Sequence, residues 1–196
     1  MNIGTPPGFL RIPFKLPGGE EVELETDRGL FSVAHVDPGT KVLLAKAPPP
    51  PAVGNLVDIG CGYGPISIAL ARQSPEATVW AVDVAPRARE LTAANARRLG
   101  AGNVRVVAPE EAPKDLRVAA IYSNPPLHTG KPHLHSLLRE WLGRLEPDGA
   151  GWLVVKRSLG SDSLIRWLSE TGFPATKLGS RKGYRVIEVH PSAPAS

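Results

Sequence analysis

Hydrophobic positions follow two rhythms along the chain, and the change between them falls near residue 50. Residues 20–26 alternate strictly, with Glu21, Glu23 and Glu25 on one side and Val22, Leu24 and Thr26 on the other. A period of two is that of a half-exposed strand. Pro17-Gly18-Gly19 just before it is a turn signal, so residues 12–33 are expected to form a β-hairpin or short meander. The acids are then the solvated face of a strand rather than a metal site. Residues 36–46 fit a short helix opened by Asp37-Pro38, and Pro48 to Pro51 make a stiff polyproline spacer.

From residue 53 short apolar runs alternate with amphipathic stretches. The pattern predicts strands at 54–59, 78–83, 103–108, 118–123 and 151–156, and helices at 64–73, 86–99, 133–145 and 161–171. Ser161 or Asp162 is the expected N-cap of the last helix and Gly172 its stop. Residues 175–181 and 184–190 flank Lys182-Gly183 and read as a terminal antiparallel hairpin. Strands and helices in alternation mean βαβ units, a mostly parallel sheet and helices on both faces. The expected molecule is a doubly wound α/β domain over residues 51–190, with a β-rich extension over 1–50 and a flexible tail over 191–196.

Composition narrows the class of protein. Of 196 residues, 42% are hydrophobic and 21% charged, a balance that excludes global disorder. No apolar run approaches the ~20 residues of a membrane span. The first residues carry neither a basic nor an apolar segment, which makes a secretory signal unexpected and a soluble cytoplasmic protein the expectation. The single cysteine, Cys61, excludes an intramolecular disulfide framework and a thiolate-built metal site. The net charge is +4, and residues 51–196 carry 18 basic against 13 acidic side chains, which is compatible with a polyanionic partner.

The candidate chemistry sits at the ends of the predicted strands. The first one in the α/β region ends Asp58-Ile59-Gly60-Cys61-Gly62-Tyr63-Gly64-Pro65, and a helix follows. Glycines let the backbone approach a ligand, and helix N-terminal N–H groups attract an anionic end. A dinucleotide loop counted from Gly60 needs Gly or Ala at position 65, which is Pro, and no Gly-Lys-Ser/Thr follows to make a P-loop. Asp58 suits an ammonium group better than a pyrophosphate. Asp83, at the tip of the second strand, is placed to accept hydrogen bonds from ribose hydroxyls, though capping of the helix opened by Pro86 is its plainer role. An ammonium, a carboxylate and a ribose together describe S-adenosylmethionine.

The fourth strand runs into Ser123-Asn124-Pro125-Pro126-Leu127-His128. Two prolines stiffen the turn and remove donors, leaving the Pro125 carbonyl and the Asn124 side-chain oxygen as acceptors. Such a pair suits both protons of an exocyclic –NH₂. An aromatic amine has its lone pair delocalised, and two preplaced acceptors favour the pyramidal geometry in which that lone pair can react.

These residues resemble a known family. Phe31-Ser32, Asp37-Pro38-Gly39-Thr40-Lys41-Val42-Leu43-Leu44, Asp58 to Gly64, Asn124 to Lys131 and Lys182 to Val186 together resemble the small methyltransferase domain of bacterial 16S ribosomal RNA guanine-N2 methyltransferases. The resemblance implies a Rossmann-like, class I S-adenosylmethionine-dependent fold with a mostly parallel seven-stranded sheet ending in the antiparallel hairpin. It implies cofactor contacts at Asp58, Gly60, Cys61, Gly62, Gly64, Asp83, Val84 and Glu110. The acceptor guanine would be held by Asn124, Pro125, Pro126 and Leu127, with His128 and Lys131 lining the substrate mouth. Two positions depart from the family pattern. Leu127 stands where Phe or Tyr usually stacks on the base, and Glu110 where an Asp usually meets the adenine. Longer members pair two such domains; a single copy points to self-association, as in a homodimer, or to the small ribosomal subunit itself for grip on rRNA.

Alternatives remain open on these residues: a protein glutamine N5-methyltransferase, an adenine N6-methyltransferase, or a domain that binds S-adenosylmethionine or RNA without turnover. Cys61, within the cofactor loop, reads as a packing or cofactor contact rather than a nucleophile. His128, His133 and His135 have neither metalloprotease nor zinc-finger spacing, so no metal is expected. Trp80, Trp141, Trp152 and Trp167 are expected in the core. Lys156, Arg157, Arg181, Lys182 and Arg185 form either a basic rim at the carboxyl edge of the sheet or ordinary solvated surface.

Overall fold

The computed structural model describes residues 9–27, 35–126 and 130–192. Strands β1 (Phe9–Lys15) and β2 (Glu21–Asp27) pair antiparallel in a sheet of their own. Gly18 and Gly19, both at φ +96°, close the turn between them as the sequence predicts. Val22, Leu24 and Thr26 face inward while Glu21 and Glu23 face solvent. Residues 28–34, the remainder of the expected meander, lie outside the described residues, as does Phe31-Ser32.

Helix α1 (Pro38–Lys46) begins where Asp37-Pro38 predicts it. The Asp37 carboxylate caps it, accepting from the amides of Gly39 at 2.7 Å and Thr40 at 3.2 Å. The polyproline spacer lies against the fold, with the Tyr122 hydroxyl donating to the Pro48 carbonyl at 3.1 Å.

The alternation then runs β3 (Asn55–Ile59), α2 (Pro65–Gln73), β4 (Thr78–Val82), α3 (Pro86–Arg98), β5 (Val104–Val107), β6 (Val118–Ser123), α4 (Lys131–Leu142), β7 (Leu145–Lys156), α5 (Ser161–Glu170), β8 (Ala175–Arg181) and β9 (Tyr184–Val189). The seven-stranded sheet has the order β5-β4-β3-β6-β7-β9-β8, with β9 antiparallel to both neighbours and the other pairings parallel. The order reverses beside β3, where β4 lies on one side and β6 on the other. The carboxyl ends of these three strands therefore open on one crevice, the topological switch point at which open α/β sheets bind ligands.

The core crosses the residue-50 boundary. Ile12, Phe14, Leu16, Val22, Leu24, Val42 and Leu43 share one apolar cluster with Leu56, Ile66, Leu70, Leu91 and Tyr122. The other face of the sheet has its own cluster around Val57, Ile121, Leu138, Trp141, Leu153 and Leu168.

Several local expectations need correcting. Strand β7 starts at Leu145, not 151, and α4 stops at Leu142, not 145. Gly143 closes that helix, and β7 bulges so that its register with β6 jumps from Val118↔Leu145 to Ala120↔Ala150. Pro147-Asp148-Gly149 lies within that irregular stretch. Neither Ser161 nor Asp162 caps α5. Gly160 at φ +92° occupies the cap without a side-chain bond, Ser161 is the first helical residue, and Asp162 pairs with Arg185 instead. Gly172 at φ +93° does stop the helix. Trp141 and Trp152 are buried, whereas Trp80 and Trp167 are half-buried: Trp80 donates to Asn55 at 3.0 Å and Trp167 stacks on His135 at 3.7 Å. No described helix is long and apolar enough to cross a membrane.

Candidate functional site

Asp58 ends β3 fully buried beneath the glycine loop. Its Oδ2 accepts from the Ser67 amide at 3.0 Å and the Ser67 hydroxyl at 2.6 Å, which fixes the start of α2. Its Oδ1 is buried with no partner. Burial raises its pKa to about 7 against the two lowering Ser67 bonds, and the Asp83 charge adds to the rise. An orphaned carboxylate oxygen is what a cationic group at this strand tip would answer. With Asp58 at 0% exposure, its effect in this conformation is an electric field through the loop, and direct contact with an ammonium requires the loop to part.

Gly60, Gly62 and Gly64 all have positive φ, at +74°, +60° and +91°. Their surroundings separate their roles. A Cβ on Gly62 would meet nothing within 4 Å, so the loop is open there to a ligand; one on Gly64 would stand 3.0 Å from Thr92, so that glycine serves the packing of α3. A Cβ on Gly60 would lie 3.5 Å from Pro126, so the loop and the Asn-Pro-Pro turn are neighbours. Cys61 is buried, and burial pushes its thiol well above the usual range, which removes it as a nucleophile at neutral pH.

Asp83 holds the loop from the next strand, its Oδ2 accepting from the Gly62 amide at 3.0 Å and its Oδ1 from the Ala85 amide at 2.9 Å. Each oxygen keeps a second acceptor position, which leaves room for ribose hydroxyls. Val84 beside it is 66% exposed, an apolar surface at the strand tip. Glu110 lies exposed on the short 3₁₀ turn after β5, whereas its neighbour Glu111 closes that turn by accepting from the Ala108 amide at 2.7 Å. A buried acid, an open glycine turn, a second acid and an exposed apolar side chain follow one another along the edge. These residues fit S-adenosylmethionine.

The side of the crevice that carries the Asn-Pro-Pro turn is built from β6 and α1. Asn124 follows β6 half-buried, and its amide nitrogen donates to Asp37 Oδ1 at 2.9 Å and Thr40 Oγ1 at 3.2 Å. Both N–H groups are thus used, and no hydrogen bond from a described residue occupies the Asn124 oxygen, which is left as an acceptor. Ser123 ties the strand end down by donating to the Ile59 carbonyl at 2.7 Å. Leu127 and His128 lie outside the described residues; Lys131 stands exposed at the first position of α4.

Sequence reasoning took Asp37 only as a helix cap and missed Asn95. That buried side chain exchanges hydrogen bonds with Glu25, accepting at 2.8 Å and donating at 2.9 Å, and donates to the Tyr63 carbonyl at 2.8 Å. It joins β2, α3 and the glycine loop. A lone Asn on a helix carries no signal of this; its only mark is a polar residue on the inward face of α3.

Of the five basic residues of the expected rim, four meet at the β8–β9 turn. Lys156 and Arg181 both register with Tyr184, and the Arg157 amide donates to the Gly183 carbonyl at 2.8 Å. Lys156, Arg157, Arg181 and Lys182 are exposed and make no ion pair with a described residue. Arg185 is the correction: it is buried, and Asp162 neutralises it. His135 is held by its stack on Trp167, and burial with nearby Lys131 and Arg139 lowers its pKa. Among the described residues no group of three His, Cys, Asp or Glu side chains is arranged to hold a metal.

Known proteins are similar to this chain in sequence and fold. Residues 21–188 match the family model of the methyltransferase small domain. The chain is 32% identical over 166 residues to Uncharacterized protein YbxB of Bacillus subtilis, covering 83% of each chain. It is 34% identical over 154 residues to Ribosomal RNA small subunit methyltransferase C of Acinetobacter baylyi, covering 74% of this chain but 45% of that one. The chain thus spans about half the length of the ribosomal RNA methyltransferases it matches. The Thermus thermophilus 16S rRNA N2 G1207 methyltransferase, solved with AdoMet and guanosine, superposes with a TM-score of 0.77 at 22% identity, over 95% of this chain and 51% of that one. The family model runs from β2 of the N-terminal hairpin through the sheet that carries Asp58 and Asn124, and on that ground the chain belongs to the methyltransferase small-domain family.

Proposed function

We propose that this protein is an S-adenosylmethionine-dependent N-methyltransferase acting on the exocyclic N2 amine of a guanine in small-subunit (16S) rRNA. The observation that carries the reading is the Asn124 amide, whose two N–H groups are spent on Asp37 and Thr40 and whose oxygen is left to accept. A site that presents an acceptor selects an N–H donor, which is what an exocyclic amine is. S-Adenosylmethionine, when bound, supplies an electrophilic sulfonium methyl. Asp58, the open turn at Gly62, Asp83 and Val84 would hold it, with Cys61 and Gly64 shaping the loop and Glu110 nearest the adenine end.

The chain's own residues then act by positioning. Asn124 Oδ1 and the Pro125 carbonyl accept the two amine hydrogens, turning the nitrogen lone pair toward the crevice. The amine proton would become acidic only as the new N–C bond forms and the methyl–sulfur bond breaks to leave a neutral thioether, and it would then pass to water, so the reaction needs no strong base and the described residues near Asn124 act by orientation. Pro126 and Leu127 would give the base an apolar wall, and His128 and Lys131 would line its entrance. The exposed Lys156, Arg157, Arg181 and Lys182 lie beyond the carboxyl end of β7, on the edge that carries Asn124, and suit the phosphates of a folded RNA. The likeness to ribosomal RNA small subunit methyltransferase C supports rRNA as the substrate class.

The test is transfer of labelled methyl from S-adenosylmethionine to unmodified small subunits, naked rRNA, release factor and duplex DNA in parallel. Label is expected as N2-methylguanosine in RNA, and Asn124→Ala should slow its appearance by roughly a hundredfold or more. Label in protein or in N6-methyladenine would overturn the substrate, and no label in any arm would overturn the activity.

A further inference from the structure

The proposed chemistry requires the Asn124 amide to point one way, and two side chains from outside the α/β alternation hold it there. Asp37 and Thr40 belong to the cap and first turn of α1. A carboxylate oxygen accepts and never donates, so the amide nitrogen of Asn124 must face Asp37; the flipped amide would set oxygen against oxygen at 2.9 Å. Thr40, only 3% exposed, offers its hydroxyl oxygen to the same nitrogen. Asp37 is itself immobilised, because Oδ1 also accepts from the amides of Gly39 and Thr40. Tyr184 packs against this turn so closely that a Cβ on Gly39 would lie 2.8 Å from its ring. Nothing in this arrangement is needed to start α1, since the backbone bonds to Asp37 suffice for the cap.

We infer that Asp37 and Thr40 are positioning residues for methyl transfer: they lock the Asn124 amide so that only its oxygen faces the acceptor, making the site selective for an amine. The inference rests on the proposed amine-directed reading of Asn124. It also gives the N-terminal segment a part in the active site. Removing either partner frees an N–H that competes as a donor and allows the amide to turn. The expected loss lies in turnover, because the orientation matters most as the amine pyramidalises, while the cofactor residues share no bond with this pair.

The experiment compares wild type with Thr40→Val, Thr40→Ser and Asp37→Asn. Thr40→Val keeps the shape and removes the acceptor; Asp37→Asn keeps an oxygen for the cap but replaces the charge-assisted bond from Asn124 by a neutral one roughly half as strong. With an RNA acceptor that wild type methylates, kcat should fall roughly fivefold to tenfold in Thr40→Val and Asp37→Asn. Thr40→Ser should restore it, with S-adenosylmethionine affinity unchanged throughout. A side-chain amide NMR signal assigned to Asn124, by its absence in Asn124→Ala, reads the lock without substrate and should move in Thr40→Val and Asp37→Asn but return in Thr40→Ser. Unchanged kcat in both variants, or failure of serine to rescue it, overturns the inference. If no acceptor is found at all, the proposed function has failed, and a stationary amide signal then overturns the lock as well.

Discussion

The two sides of the crevice are held by contacts of different reach. On the cofactor side the bonds that shape the loop join residues 58 to 95: Ser67 to Asp58, Gly62 and Ala85 to Asp83, Thr92 to Gly62, and Asn95 to Tyr63. On the acceptor side Asn124 is held by Asp37 and Thr40, from the far end of the chain. One side inherits its geometry from consecutive βαβ units and the other from the docking of α1. The two should therefore fail separately, with cofactor binding surviving damage that stops transfer.

Asn124→Ala is the sharpest break. Loss of a preorganised polar group at a reacting centre costs roughly a hundredfold to a thousandfold in kcat. Calorimetry should find S-adenosylmethionine bound as in wild type. A parallel loss of cofactor affinity would mean that the two sides are one unit and that the contrast is wrong.

Asn95→Ala tests the opposite expectation, since Asn95 is where the hairpin reaches the cofactor loop. Its removal strands the Glu25 amide and the Glu25 and Tyr63 carbonyls, and each buried group left without a partner costs about 1–3 kcal/mol. Thermal unfolding should shift downward by several degrees. Because Tyr63 lies between Gly62 and Gly64, cofactor affinity should weaken more than turnover at saturating cofactor.

The difference in reach also explains what the chain made legible. The alternation from residue 53 predicted every strand of the large sheet and all four of its helices, because each element buries a face with a period of its own. Asp37-Pro38 announced α1 through capping chemistry, and the glycine loop announced itself through backbone demands. Asn95 and the Asp37–Asn124 bond left no such trace, since no local rule relates residues that far apart. The strand expected from 151 begins at 145 because a bulge lets Pro147-Asp148-Gly149, residues without a strand period, run on within β7. Ser161 misled because Gly160, at positive φ, took the cap position. At the β8–β9 turn the exposed cations could be counted from sequence, but only packing distinguished Arg185, spent on Asp162, from the other four.

Asp58 sharpens the cofactor side through pH. In the folded protein it keeps its proton up to about pH 7, whereas an unfolded aspartate gives it up near pH 4. Between those values the native state binds more protons than the unfolded one. The stability this contributes is complete below about pH 4 and is lost as pH rises through about 7. A cationic ligand favours the ionised carboxylate, so binding S-adenosylmethionine near pH 6 should release a proton, and affinity should rise across neutrality. Calorimetry in buffers of different ionisation enthalpy reads that proton directly. Asp58→Asn should abolish the release and weaken binding roughly tenfold. Unchanged affinity with no proton released would make Asp58 solely the anchor of α2.

The smallest effects should come from the exposed cations at the β8–β9 turn, and they fall on the acceptor side alone. Arg157→Gln removes one charge without disturbing a described ion pair or hydrogen-bonded side chain. If Arg157 meets a phosphate, the slope of log affinity for rRNA against log salt should flatten by about 1, with only a few-fold loss at physiological salt. Arg181→Gln should add to it, because neither residue depends on the other. S-Adenosylmethionine affinity and its pH profile should stay where Asp58 sets them. A weaker complex with an unchanged salt slope would mean that these cations are ordinary solvated surface and that RNA approaches the crevice from the α4 side, past Lys131. In either outcome the acceptor side is the one whose partner is read from charge, and the cofactor side the one whose ligand is read from backbone shape.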